Sequence, residues 1–170
     1  MSNRLNLSVC GGKRFSADAV KQVPTPEPTE SWRPIPHGLL VDEFRKQIKQ
    51  RDLRVADSYL TLARPSAKGK ADGRRFFGLF HVEGVETSHA KDIGTVIGLR
   101  NSHDKAFAAG ICAGSAPFVC TNLIFSNEIT LGRKHTVNIL ADLPTLIGDA
   151  LDKLHGLWVN QDRRIEAYKD

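Results

Sequence analysis

The hydrophobic pattern divides the chain into stretches of different period. Residues 1–36 show none: Pro24, Pro26, Pro28, Pro34 and Pro36 remove backbone donors and bias their neighbours away from helix. VPTPEPTE, with Glu27, Thr29 and Glu30 among its prolines, offers too little apolar surface to fold alone. This predicts an extended arm, a linker or peripheral strap, with Trp32 as the residue that docks on the globular part. From Gly38 to Asp52 the period becomes helical. Leu40, Val41, Phe44 and Ile48 share one face, and Asp42, Arg45, Lys46 and Lys49 take the other.

Strand-like alternation follows. Val55, Tyr59 and Thr61 alternate with Leu60 and Leu62, then comes RPSAKGKADGRR, then RFFGLFHV with its aromatics. Two β-rich runs joined by a Gly- and Lys-rich link predict a long hairpin with a basic tip. A third strand, IGTVIGL (93–99), leads into a polar turn over Asn101–Lys105. FAAGICAG and FVCTNLIF predict two more strands, and EITLG a short sixth. Glycines 94, 98, 110 and 114 come as pairs four residues apart and suggest bulges or bends in a strongly curved sheet. Beyond them Leu140, Leu143, Ile147, Leu151, Leu154 and Trp158 recur every three or four residues, a core-facing helical stripe. Asp142 before Leu143-Pro144 reads as an N-cap with proline in the first turn; alternatively the helix begins at Thr136 and kinks at Pro144.

The predicted fold class is α+β: a helix, a curved antiparallel β-meander of five or six strands, and a long C-terminal helix packed on one sheet face. The domain division is an extended Pro-rich N-terminal arm over 1–36 and a single α+β domain over 37–170.

Composition changes this picture little. At 170 residues the chain can bury a core without disulfide staples. No run approaches about 20 uninterrupted apolar residues, so no membrane partner is expected. MSNRLNLSVCGGKRF lacks the apolar core of a secretory signal. Cys10, Cys112 and Cys120 are odd in number and lack CxxC spacing, which points to buried or idle thiols in a reduced, cytoplasmic protein. Net charge is +5, unevenly spread. Residues 37–70 carry eight Lys or Arg against four Asp or Glu, and residues 136–170 carry four against six. A basic excess in the first half attracts polyanions and is also ordinary for a soluble protein.

The densest chemistry lies in Arg100-Asn101-Ser102-His103-Asp104-Lys105. Asn, Ser and Asp form turns because their side chains bond nearby amides, and His103 can simply close the hairpin. In the functional reading His103 is an acid or base beside Asp104, with Arg100 or Lys105 supplying positive charge. Neighbouring residues on a strand point to opposite faces, so that dyad requires the turn to bend them together. Nucleophilic catalysis has little support: Ser115 lies in AGSAP rather than GxSxG, and Cys112 and Cys120 sit in apolar strands. No metal or cofactor is expected. His81 and His89 lack partners at ligand spacing, and no GxxxxGK[ST] motif occurs. The basic clusters read better. Arg64, Lys68, Lys70, Arg74 and Arg75 crowd twelve residues with only Asp72 opposing them, and Arg133, Lys134 and His135 form a second group. Such cations can follow a phosphate backbone while neighbouring aromatics, here Phe76 and Phe77, stack bases; FFGLF equally well fills the sheet's core.

RPIPH (33–37), GLRNSHDKAFAAG (98–110), FVCTNLIFS (118–126) and RKHT (133–136), followed by a Leu-Pro-bearing helix, resemble in order and content the phage- and plasmid-borne domain-of-unknown-function 932 family. The resemblance covers roughly residues 33–155. It marks Arg100, Asn101, Ser102, His103, Asp104, Lys105, Asn122, Arg133 and His135 as important, without a role, because the family has none agreed. It implies an accessory protein of a mobile genetic element in a bacterial cytoplasm. The helix–meander–helix order with a basic hairpin is also similar to that of single-strand annealing proteins, which form rings around a basic groove.

The leading expectation is thus a non-enzymatic, homo-oligomeric DNA-binding protein with single-strand preference, serving mobile-element DNA metabolism or recombination. Arg64, Lys68, Lys70, Arg74 and Arg75 would contact phosphates, and Arg133 and Lys134 would extend the path. The alternatives are an anti-restriction or anti-defence protein that binds a host defence or replication protein, and a hydrolase or nuclease using His103 and Asp104.

Overall fold

The computed structural model of the chain describes residues 13–62, 73–84, 95–115, 129–132 and 138–169. Helix α1 (Ala17–Lys21) lies within the arm, and helix α2 (His37–Gln50) follows it. Ser16 caps α1 by accepting from the Ala19 amide. α2 buries the face its spacing predicts, with Leu40, Val41, Phe44 and Ile48 all inside. It ends in a Schellman turn: the Leu53 amide returns to the Ile48 carbonyl while Asp52 takes a left-handed φ of 56°.

Among the described residues five antiparallel strands follow in sequential order: β1 (Arg54–Leu62), β2 (Arg75–Glu83), β3 (Thr95–Ser102), β4 (Ala109–Ser115) and β5 (Ile129–Gly132). The predicted basic hairpin is β1–β2, its tip (63–72) outside the described residues, as is FVCTNLIF. β5 is the short strand foreseen in EITLG, and it pairs with β4. Register breaks fall at Val55/Asp57 and Ala109/Gly110, so Gly110 does sit at an irregularity. Gly98, by contrast, lies in unbroken ladder between Leu79 and Cys112. The Cys112 thiol is buried.

Helix α3 (Ile139–Lys169) contacts β4, β5 and α2, which completes the α+β arrangement of a meander with helices before and after it. It begins ahead of Asp142, whose amide bonds the Asn138 carbonyl, so Pro144 lies inside the helix. Leu143, Ile147, Leu151 and Leu154 join the same core as Phe44, Phe76, Phe80, Ile97 and Leu99. Arg51 ties the two long helices. It donates to the Gln47 carbonyl and side chain and to the Gly148 carbonyl of α3, and it pairs with Asp152. The exposed pair with Asp152 is worth little by itself; the carbonyl bonds carry the effect. Arg51→Ala is expected to lower unfolding free energy by about 2 kcal/mol, read by urea denaturation, while Asp152→Asn should change it far less.

The arm is more than a linker. Val20 and Ile35 are core residues, 1% and 0% exposed. Phe15 bridges to Leu60, and Arg14 pairs with Asp57 and donates to the Ser58 carbonyl along the edge of β1. α1 lies against the first turn of α2, where Gly38 makes room: a Cβ there would stand 2.6 Å from Lys21 Cγ. The apolar side chains that help to dock the segment, Phe15, Val20 and Ile35, are too few to give a period. No described helix is long and apolar enough to cross a membrane.

Candidate functional site

Because the meander alternates direction, β1, β3 and β5 end, and β2 and β4 begin, on the same side of the sheet. The register fixes this end: Leu62 faces Phe76, Arg75 faces Ser102 and Ala109 faces Gly132. The polar turn over 103–108, the chain ends that bound the basic tip (Leu62 and Gly73) and the chain leading to Arg133 therefore all meet there. α2 starts at this end as well, since His37 reaches the Gly73 carbonyl.

His37, Asn101 and His103 form one buried network, 1%, 0% and 4% exposed. His37 Nε2 lies 2.9 Å from the Gly73 carbonyl, which can only accept, so Nε2 carries the hydrogen and Nδ1 is bare. Asn101 Nδ2 lies 3.0 Å from that bare Nδ1 and 2.7 Å from the Ile35 carbonyl, and donates to both. His103 Nε2 donates to the same Ile35 carbonyl at 2.8 Å. The two imidazoles stack with centroids 3.8 Å apart and planes 4° from parallel. Two buried atoms, Asn101 Oδ1 and His103 Nδ1, have no hydrogen-bond partner among the described residues. Burial, reinforced by the neighbouring ring of His103, pushes the His37 pKa down to about 4; the Gly73 carbonyl works against this. Burial also lowers His103, outweighing the Ile35 carbonyl, the Asp104 carboxylate and the Pro24 carbonyl, all of which favour its cation.

The rest of the motif builds the turn. Ser102 Oγ donates to Asp104 Oδ1 at 2.6 Å and accepts from the Ala106 amide, which Asp104 Oδ1 also receives. Asp104 Oδ2 accepts from Arg75 Nε at 2.9 Å. Partial desolvation raises the Asp104 pKa, but the bonds from Ser102, Arg75 and the Ala106 amide prevail and hold it below the usual carboxylate range. His103 points inward and Asp104 outward, and their hydrogen bonds run to different partners. The imidazole proposed as acid or base is closed off from solvent and committed to the strap.

Outside this network cations alternate with half-buried rings. Lys105, at φ 60°, holds its ammonium 4.9 Å from the Trp32 ring centroid. Arg100 lies 5.1 Å from the Phe107 centroid, and Phe107 packs 5.3 Å from Phe77. Arg74 and Arg75 are exposed beside them. Phe76 and Phe77 part company: Phe76 is core and stands 5.6 Å from His37, while Phe77 lies on the other face. Trp32 docks, as the arm's composition suggests, and it does so under Lys105.

Of the residues singled out in the sequence, Arg74, Arg75 and Arg100–Lys105 come together here. Arg64, Lys68, Lys70, Asn122, Arg133, Lys134 and His135 lie outside the described residues. Sequence reasoning passed over His37, Ile35 and Phe107. RPIPH stood out as a motif, but nothing local links it to an asparagine 64 positions further on. Among the described residues no three His, Cys, Asp or Glu side chains gather as a metal site. No family model, curated protein or solved structure matches this chain.

Proposed function

We propose that the chain binds DNA, with a preference for single strands, across the end of the sheet where β2 begins and β3 turns into β4. One observation carries the reading. The meander gathers at that end the anchor points of both basic clusters and the exposed Arg74, Arg75 and Lys105, interleaved with the half-buried rings of Trp32, Phe77 and Phe107. Positive charge that tracks a backbone, set beside rings that accept bases, is the combination by which single strands are held without sequence readout. Asp104 is the opposing carboxylate in the turn, and it is neutralised by Arg75. On the resemblance to the domain-of-unknown-function 932 family, the binding serves mobile-element DNA metabolism or recombination in a bacterial cytoplasm, by a homo-oligomer.

Fluorescence anisotropy with labelled single- and double-stranded DNA across a salt series tests this. The parent chain should bind single strands more tightly and lose affinity steeply with salt. Arg74→Gln combined with Lys105→Gln should weaken binding and flatten the log–log salt slope by about 0.7 for each phosphate no longer neutralised. Absence of binding to either form at low salt would remove the reading and leave the host-protein alternative, to be pursued by pull-down in the absence of nucleic acid.

A further inference from the structure

We propose that His37, Asn101 and His103 form a proton-operated latch that holds the Pro-rich strap, residues 24–36, on the β3–β4 turn at neutral pH and releases it in acid. The balance of donors and acceptors is the ground for it. The latch needs His37 Nδ1 bare, because Asn101 Nδ2 gives one hydrogen to it and the other to the Ile35 carbonyl. A proton on Nδ1 would set N–H against N–H across 3.0 Å. Turning the amide over removes that clash by presenting Oδ1, which has no donor of its own. The same turn sets Oδ1 against the Ile35 carbonyl, 2.7 Å from that amide position. In either arrangement one hydrogen bond of the network is lost, and in the second it is the bond from Asn101 to Ile35, which leaves that carbonyl held by His103 Nε2 alone.

The surroundings oppose the cation further. His37 is the first residue of α2, where the helix dipole disfavours positive charge, and no acid stands in that first turn. His103, stacked 3.8 Å away, cannot share a second proton without repulsion. β2 sets the apolar Phe76 ring against His37. Arg74, just ahead of β2, flanks His103, its carbonyl accepting the His103 amide, and Lys105 flanks it from the turn. The strap brings its own exposed Glu27, Glu30 and Arg33. Asp104 is the one carboxylate that favours a histidine cation, that of His103, and it is already engaged by Arg75 and Ser102. The Ile35 and Pro24 carbonyls favour that cation too, and the Gly73 carbonyl that of His37, but burial outweighs them. The sign follows from His37, whose folded pKa of about 4 lies below the ordinary 6.5. Neutral imidazole is the bound form, so the strap is held fully above pH 6.5, and the hold falls away as pH drops towards 4. Release would unseat Trp32 from Lys105 and uncover the imidazole pair.

The test is a titration of the full chain carrying Trp158→Phe, so that Trp32 is the sole indole, followed by emission and by far-ultraviolet circular dichroism at each pH. The expected result is a red shift of Trp32 emission between pH 6.5 and 4 while the helical signal persists. His37→Asn retains an acceptor for Asn101 but cannot gain a proton, and should move the transition at least one pH unit to the acid side. Emission that changes only together with the dichroism would overturn the latch. So would a transition at the same pH in His37→Asn. The parent titration alone decides the first point should the variant fail to fold.

Discussion

Phe80→Ala is expected to lower the unfolding free energy by about 4 kcal/mol, read as a fall in the urea midpoint at constant slope. Phe80 is fully buried in β2, facing Ser58 on one side and Ile97 on the other. Its ring meets Phe44 of α2 at 4.6 Å, tilted 49°, and Arg45 crosses it at 5.5 Å. Truncation therefore opens a cavity where the helix that begins at the candidate site rests on the sheet. Gly78 shows how tightly that layer is filled: a Cβ there would stand 2.9 Å from both Phe76 Cζ and Phe80 Cε2. Gly78→Ala should consequently be costly in the parent and cheaper in the Phe80→Ala background, a coupling that a double-mutant cycle measures directly. Additive costs would mean that the two positions do not share the space the geometry gives them.

How much of this was legible beforehand follows from the range of the forces involved. The stripes of α2 and α3 and the pairing of β1 with β2 depend on local period, and Leu40, Val41, Phe44, Ile48, Leu143, Ile147, Leu151 and Leu154 are buried as the spacing requires. The arm was harder. Its prolines rightly excluded regular structure between Pro24 and Pro36, but Ile35 is core because two side chains far along the chain hold its carbonyl. No periodic signal exists for a single backbone carbonyl. The motif itself was visible as a cluster of polar side chains, and its division was not. Ser102 and Asp104 act within the turn, as turn formers do, whereas Asn101 and His103 reach inward to the strap. The strand alternation that separates them requires knowing that β3 runs on to Ser102, three residues beyond the apolar run that announced it. The cation–ring pairs of Lys105 with Trp32 and Arg100 with Phe107 likewise depend on where the arm lies.

Asn101→Asp, nearly isosteric, is expected to cost about 3 kcal/mol at pH 8, and to change how stability depends on pH. An asparagine can donate to both Ile35 and His37; a carboxylate can donate to neither. At pH 8 the aspartate would face the Ile35 carbonyl and the bare His37 Nδ1, two acceptors, in a site that is 0% exposed. Lowering the pH then relieves the variant, because a proton on His37 supplies the donor that the carboxylate lacks. The parent behaves in the opposite sense: its network needs His37 neutral, so stability falls as pH drops from 6.5 towards 4. Chemical denaturation at pH 8 and pH 5.5 should therefore show the gap between the two chains narrowing in acid. An equal gap at both values would mean that His37 and residue 101 are not coupled through a shared hydrogen. No gap at either would mean that the amide does not hold the strap, and the Asn-Ser-His-Asp motif would then be sought a role in binding rather than in the fold. If the narrowing is observed, the motif divides by function: Asn101 and His103 fix the arm from within, while Arg100 and Asp104, which alternate with them, and Lys105, at the positive φ of the turn, are left to shape the outer surface.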